Sequence, residues 1–350
     1  DVTHPDIAAE LEALDKPRTA VGYLVAGLRA RHNAGLGGLT LLSCDNLAEN
    51  GRKLGLAVAQ FAARVDPDLA RWIQHSCTFP CSMVDRIVPA TTAGDLAAGE
   101  ELLGMPDRGL VVAEPFSQWV IEYSFAGAVP DWGTAGVNIV ADVAPFEEMK
   151  LRLLNASHST LAYVACAMEI STVAEAMAQP AIERLLTVQM QEEMTPTLSG
   201  LGDFDVSGYR RALLQRLRNT GLAHRTRQIA MDGSAKIPQR FVPALEWHLD
   251  RQQDCPCTTL AIAAWIYHVF HDRHLEDPRA EEFLDLREQS GGDIAVFLEA
   301  VLALPGLLPV RLSHSEWLVS TLGSWLSEFG ERGVVATVHE YWGRAPVMPC

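Results

Sequence analysis

Lysine is nearly missing from this 350-residue chain: only Lys16, Lys53, Lys150 and Lys236 occur, and arginine supplies the rest of the 28 basic residues. These face 44 Asp plus Glu, for a formal net charge of −16. The acidity runs through both halves, and a negative field of that kind repels phosphate backbones and anionic headgroups, so nucleic acid and membrane surfaces are not expected partners. Long apolar runs are missing too. The stretches 160–167, 258–270 and 294–309 are too short for a bilayer span or broken by Glu299 and Pro305, and read as buried helices. Residues Asp1 to Glu12 are acidic and lack the apolar run of a secretion signal. Seven cysteines, an odd number at irregular spacing, fit reduced thiols and a cytoplasmic setting better than a disulfide framework.

Several chemical signatures are also missing. There is no Gly-x-Gly-x-x-Gly, no Gly-x-Ser-x-Gly and no His-Glu-x-x-His. His268, His271 and His274 recur near Cys255 and Cys257, but every-third-residue spacing drifts around a helix instead of converging on one ion, so no metal site is expected there. Cys77 and Cys81 beside His75 are equally thin.

What is present divides near residues 140–145. Residues 39–44 (LTLLSC), 109–113, 119–123 and 136–140 have strand character, and the first is followed by a helical pattern over 47–65. Beyond Pro145 the spacing is helical almost throughout, over 145–170, 172–197, 206–221, 240–252, 258–272, 280–287, 292–304 and 314–331. The expected class is therefore α/β plus all-α: 1–142 as part of a doubly wound domain whose first half is absent, and 143–350 as a helical domain.

The densest chemistry lies in Pro145-Phe-Glu-Glu-Met-Lys-Leu-Arg-Leu-Leu-Asn-Ala-Ser-His158. On an α-helix at about 100° per residue, with Lys150 at zero, Glu147 falls at about 60°, His158 at about 80° and Asn155 at about 140°. A solvated face with one Glu–Lys pair would explain the pattern. The chemical alternative makes Lys150 a proton donor or acceptor, since burial lowers a lysine pKa towards neutrality, with Asn155 and His158 orienting a polyhydroxylated substrate. Asn46, between a strand and a helix, serves either as an N-cap or as an amide donor to a developing alkoxide. In Met231-Asp-Gly-Ser-Ala-Lys236-Ile-Pro-Gln-Arg240, Lys236 and Arg240 read as cations borne on a turn.

Four blocks then take on a common meaning: Ser43-Cys-Asp-Asn-Leu-Ala-Glu-Asn-Gly51, Phe79-Pro-Cys-Ser-Met-Val-Asp-Arg-Ile-Val-Pro89, Glu114-Pro-Phe-Ser-Gln-Trp-Val-Ile121 and Lys150-x4-Asn155-x2-His158. In this order they resemble the polyol-specific long-chain dehydrogenases, the mannitol dehydrogenase family that includes mannitol 2-dehydrogenase and fructuronate reductase. The resemblance runs from near residue 3 to the C-terminus. It implies a Rossmann-type domain, a helical domain and zinc-independent hydride transfer with NAD. It also implies Lys150 as general acid/base, Asn46 and Asn155 as oxyanion donors and Glu147 as a proton relay. His158 and Lys236 would bind substrate hydroxyls, while Val84 and Asp85 would lie beside nicotinamide and substrate. Members of the family begin with a Gly-rich strand–turn–helix that this chain lacks, so it is expected to represent the C-terminal two-thirds or so.

Mannitol-type members carry Arg where this chain has Gln228, and the run from His224 to Arg240 looks more like fructuronate reductase. The expected reaction interconverts D-fructuronate and D-mannonate. Arg240 or Arg227 would meet the carboxylate, and the protein would be a monomer or small homo-oligomer. The alternatives are a mannitol or arabinitol 2-dehydrogenase and a catalytically silent fragment acting as an interaction module.

Overall fold

Proline and short polar side chains start several of the helices that frame the first compact unit. Asp66 caps Pro67–Ser76, accepting from the Asp68 and Leu69 amides at 2.8 and 3.2 Å, with Pro67 in the first turn where no N–H is needed. The preceding helix, Asn50–Val65, buries Val58, Phe61 and Ala62, the spacing of one helical face. These side chains join Val25, Leu28, Leu41, Leu69 and Ile73 in one apolar cluster.

The computed structural model describes residues 4–12, 14–221 and 224–343. It forms two compact units, Asp1–Arg86 with Pro115–Glu147, and Ile87–Glu114 with Glu148–Cys350. Relative to a single cut at 142/143, the division falls five residues later and assigns the segment 87–114 to the second unit.

The sheet of the first unit has three strands in the order β1 (Ser82–Asp85), β2 (Gln118–Glu122), β3 (Asn138–Val140). β1 runs antiparallel to β2, with Val84 opposite Trp119, and β3 runs parallel to β2. Expectation and structure agree on β2 and β3 within two residues. The stretch 39–44 contributes only a single parallel bridge, Thr40 to Thr78, and 109–113 forms no strand. β1 was not expected, because Ser82-Met-Val-Asp85 is too short and polar to alternate visibly.

The second unit is helical around one element. Ala144–Met149 leads into a π-helical turn, Lys150–Asn155, and then into Ala156–Ala167. From Ala156 to Ala165 every residue is buried. Its small side chains, including Ser157, Ser159, Ala162 and Ala165, let Pro256–His271 and Thr226–Ala230 approach closely. Among the described residues no helix is long and apolar enough to cross a membrane.

Candidate active site

Lys150 opens the π-helical turn and Asn155 closes it; the Ala156 amide reaches back to the Leu151 carbonyl, five residues away. The wider turn changes the angular placement counted for an uninterrupted α-helix, so the arc expected for Glu147, Lys150, Asn155 and His158 does not hold as drawn. Single π turns of this kind recur at functional sites because they rotate side chains without ending the helix. Lys150 is half-buried, and Asn155 and His158 are buried.

His158 sits in an unusual setting for an imidazole. Its Nε2 is buried without a protein hydrogen-bond partner, and its ring meets that of His224 edge-on, with centroids 5.8 Å apart. Burial, and then the charges of His224, Arg240, Arg216 and Lys150, hold it well below the usual imidazole range. It is therefore neutral near pH 7, with one ring nitrogen left without a protein partner. Burial followed by the charge of Lys236 lowers His224 as well.

Lys236 and Arg240 lie on a helix, Gly233–Arg240, and not on a turn as expected from Asp232-Gly233. The turn itself is real: Asp232 has φ 55°, and Asp277 caps the helix by accepting from the Ser234 amide and hydroxyl at 2.8 and 2.5 Å. Gly233 admits no side chain, since a Cβ would fall 2.1 Å from Nε1 of Trp265. Lys236 Nζ donates to the carbonyls of Ile229 and Met231 at 3.1 and 2.5 Å. Burial, then the neighbouring Arg240, lowers its pKa. Arg240 Nη1 donates to the Asn155 carbonyl at 3.0 Å and to Ser159 Oγ at 2.8 Å, clasping the end of the π turn.

Of the remaining candidates in this unit, Gln228 is exposed on Thr226–Ala230. Arg227 is committed elsewhere, donating to both oxygens of Asp272 at 2.8 and 3.1 Å and to the His274 carbonyl at 2.8 Å. His268 lies 3.7 Å from Asp272, and His271 bonds the Tyr267 carbonyl.

In the first unit, an unanticipated residue organises the candidates. The Asn50 amide donates to the carbonyls of Ser43, Asp45 and Ser82 at 3.2, 3.0 and 2.8 Å, while its oxygen accepts from the Ser82 amide at 3.0 Å. Ser82 Oγ adds a bond to the Ser43 carbonyl at 2.6 Å. This cross-tie fastens the loop that carries exposed Asn46 to β1, which carries half-buried Val84 and buried Asp85. Val84 offers an apolar contact and Asn46 an amide, a donor set that fits the flat, amide-bearing nicotinamide end of a dinucleotide. Glu147 accepts from the Glu49 amide through both carboxylate oxygens at 3.3 Å. Burial chiefly, with the charges of Glu122 and Glu49, raises its pKa above the usual carboxylate range.

Sequence reasoning missed His224, Asn50 and the π turn. The first two stand inside quoted motifs, and only their buried contacts set them apart from ordinary polar residues.

Similarity to known proteins runs through both units. Residues 2–134 match the mannitol dehydrogenase Rossmann domain, and residues 142–302 match the mannitol dehydrogenase C-terminal domain. The chain is 40% identical over 339 residues to D-mannonate oxidoreductase of Escherichia coli (strain K12), covering 95% of this chain and 69% of that protein. It is 35% identical over 349 residues to a mannitol 2-dehydrogenase of Phaeosphaeria nodorum, covering 97% and 60%. Among solved structures, Pseudomonas fluorescens mannitol 2-dehydrogenase in ternary complex with NAD and D-mannitol superposes with a TM-score of 0.80 at 30% identity, covering 98% of this chain and 70% of that one. A substrate-free D-sorbitol dehydrogenase gives 0.83 at 29% identity, covering 97% and 70%. The chain belongs to the mannitol dehydrogenase family, and spans between about half and 70% of the length of the relatives it matches.

Proposed function

We propose that the protein is an NAD-dependent oxidoreductase that interconverts a keto sugar acid and its hydroxy acid, D-fructuronate and D-mannonate, without a catalytic metal. The observation that carries this reading is the grouping of Lys150, Asn155 and neutral His158 on one buried, π-turned helix, beside Lys236 and Arg240. NAD, when bound, supplies or accepts the hydride. The chain's own residues handle the oxygen and its proton. Lys150 gives a proton to the nascent alkoxide in reduction and takes it in oxidation, and Glu147, with its raised pKa, passes that proton to solvent. The Asn155 amide donates to the same oxygen while negative charge builds, and Asn46 keeps the amide-donor part that the family resemblance gives it. His158 Nε2 and the spare donor of Lys236 hold the neighbouring hydroxyls. Val84 and Asp85 serve the nicotinamide side.

The similarity to D-mannonate oxidoreductase favours the sugar acid. The second reading, a mannitol or arabinitol 2-dehydrogenase, draws on the likeness to the D-mannitol complex. For the sugar-acid reading, Gln228→Arg, which introduces the mannitol-type residue, should shift activity towards uncharged ketoses; no change would remove Gln228 from the substrate-defining residues. The reading itself is tested by following NADH absorbance with D-fructuronate and the full-length protein in excess chelator. Sustained turnover is expected, and loss of activity restored by a divalent metal would contradict the metal-free mechanism.

A further inference from the structure

Arg240 is a partly buried guanidinium with two of its five donors spoken for and, among the described residues, no carboxylate bonded to it. It ends the helix Gly233–Arg240 one turn beyond Lys236, so the two cations share a face. Its Nη1 is fixed by the Asn155 carbonyl and Ser159 Oγ. That pair of bonds sets the plane of the fork, and Nε and Nη2 have no hydrogen-bond partner among the described residues. Partly buried Arg31, Arg210 and Arg287 bond carbonyls and hydroxyls, while Arg152, Arg216 and Arg279 find carboxylates in Glu148, Glu114 and Glu282. Arg240 forms no such pair, and the charges that reach His158 beside it are His224, Arg216 and Lys150.

A desolvated cation with no counter-ion is costly, and a bidentate anion is the partner that a guanidinium edge fits best. In a chain of net charge −16, a local gathering of Lys150, Lys236 and Arg240 marks the one kind of ligand the rest of the molecule repels. Arg227, the other arginine expected to meet a carboxylate, is spent on Asp272.

We propose that Arg240 is the specificity-determining residue of the site: its free edge receives the carboxylate of a sugar-acid substrate while Nη1 holds the π turn that presents Lys150 and Asn155. This rests on the oxidoreductase reading given above. A keto sugar acid carries its carboxylate several carbons from its ketone, so one end can lie against the Arg240 fork while the carbonyl oxygen lies at Lys150 and Asn155. An uncharged ketose leaves the fork unneutralised, and the site discriminates against it for that reason.

The test compares Arg240→Gln and Arg240→Lys in the full-length protein, measuring kcat/KM for D-fructuronate and D-fructose with NADH, together with D-mannonate inhibition. Arg240→Gln should lower kcat/KM for the uronate about 10²-fold more than for the ketose, mainly through KM, and weaken D-mannonate inhibition in parallel. Arg240→Lys, which keeps the charge and loses the fork, should fall between and also serves if the Gln variant folds poorly. Equal losses with both substrates would show that Arg240 only braces the π turn, and would overturn the proposal. Wild-type protein active on D-fructose and inert with D-fructuronate would overturn the sugar-acid reading itself, a failure visible before any variant is made.

Discussion

Arg216 closes on Glu114 through Nε at 2.9 Å and Nη2 at 2.8 Å, with the two side chains 6% and 1% exposed. Glu114 also accepts from the Ile87 amide at 2.6 Å, so one carboxylate ties the segment 87–114 to the helix Val206–Leu217. Removing one member strands the other charge in a dry setting. Arg216→Met alone should cost about 3–5 kcal/mol of stability, and adding Glu114→Leu should recover much of it. Urea unfolding of the two single variants and the double variant measures the coupling; purely additive losses would contradict it.

Lys150→Ala should lower kcat by roughly 10²–10⁴ while leaving the melting temperature close to that of the wild type, because the side chain is half-buried and its role lies in proton transfer. Turnover within a few-fold of wild type would remove Lys150 from the mechanism.

Asn155→Ala should cost about 10²–10³ in kcat if its amide stabilises the developing oxyanion. The Arg240 bond to this residue uses the backbone carbonyl, so truncating the side chain leaves the clasp in place. A loss confined to stability, with turnover per folded molecule unchanged, would assign Asn155 a structural part.

His158, His224 and His268 all have imidazole pKa values below the usual 6.5, burial being the main cause in each. In the unfolded chain these rings take up protons as the pH falls through about 6.5, while in the fold they stay neutral. Stability is then level above that pH and declines below it, by up to about 1.4 kcal/mol per pH unit for each ring until its folded pKa is reached. His158→Asn should flatten the fall in melting temperature between pH 7.5 and 5.5. An unchanged slope would show that His158 charges within the fold.

Gly233→Ala should destabilise the protein by about 1–3 kcal/mol, because the new methyl meets the Trp265 indole nitrogen where neither the buried ring nor the pinned turn can yield. It should also raise KM, since the helix bearing Lys236 and Arg240 starts at this residue. A neutral effect on both would mean that the turn relaxes freely.

Periodicity served the helical unit well: the patterns at 258–272 and 314–331 correspond to Pro256–His271 and Glu316–Arg332. It served the first unit less well, where strands of three to five residues are too short to show alternation and Leu39 to Cys44, though apolar, pairs only at Thr40. Lys150, Asn155 and His158 were legible as a group because three polar groups recur on an otherwise apolar helix. Their true angular relation was not, since a π turn leaves no mark in residue type. Arg240 and Arg227 were indistinguishable in sequence. Only the contact of one with Asp272, and of the other with the Asn155 carbonyl, separates them.

The most direct test of the central claim is the ratio of kcat/KM for D-fructuronate to that for D-fructose, measured with NADH on the full-length wild-type protein. A ratio well above one, on the order of 10² if a desolvated cation receives the carboxylate, is the predicted result. A ratio below one would move the protein to the polyol dehydrogenases and leave Arg240 as a brace for the π turn.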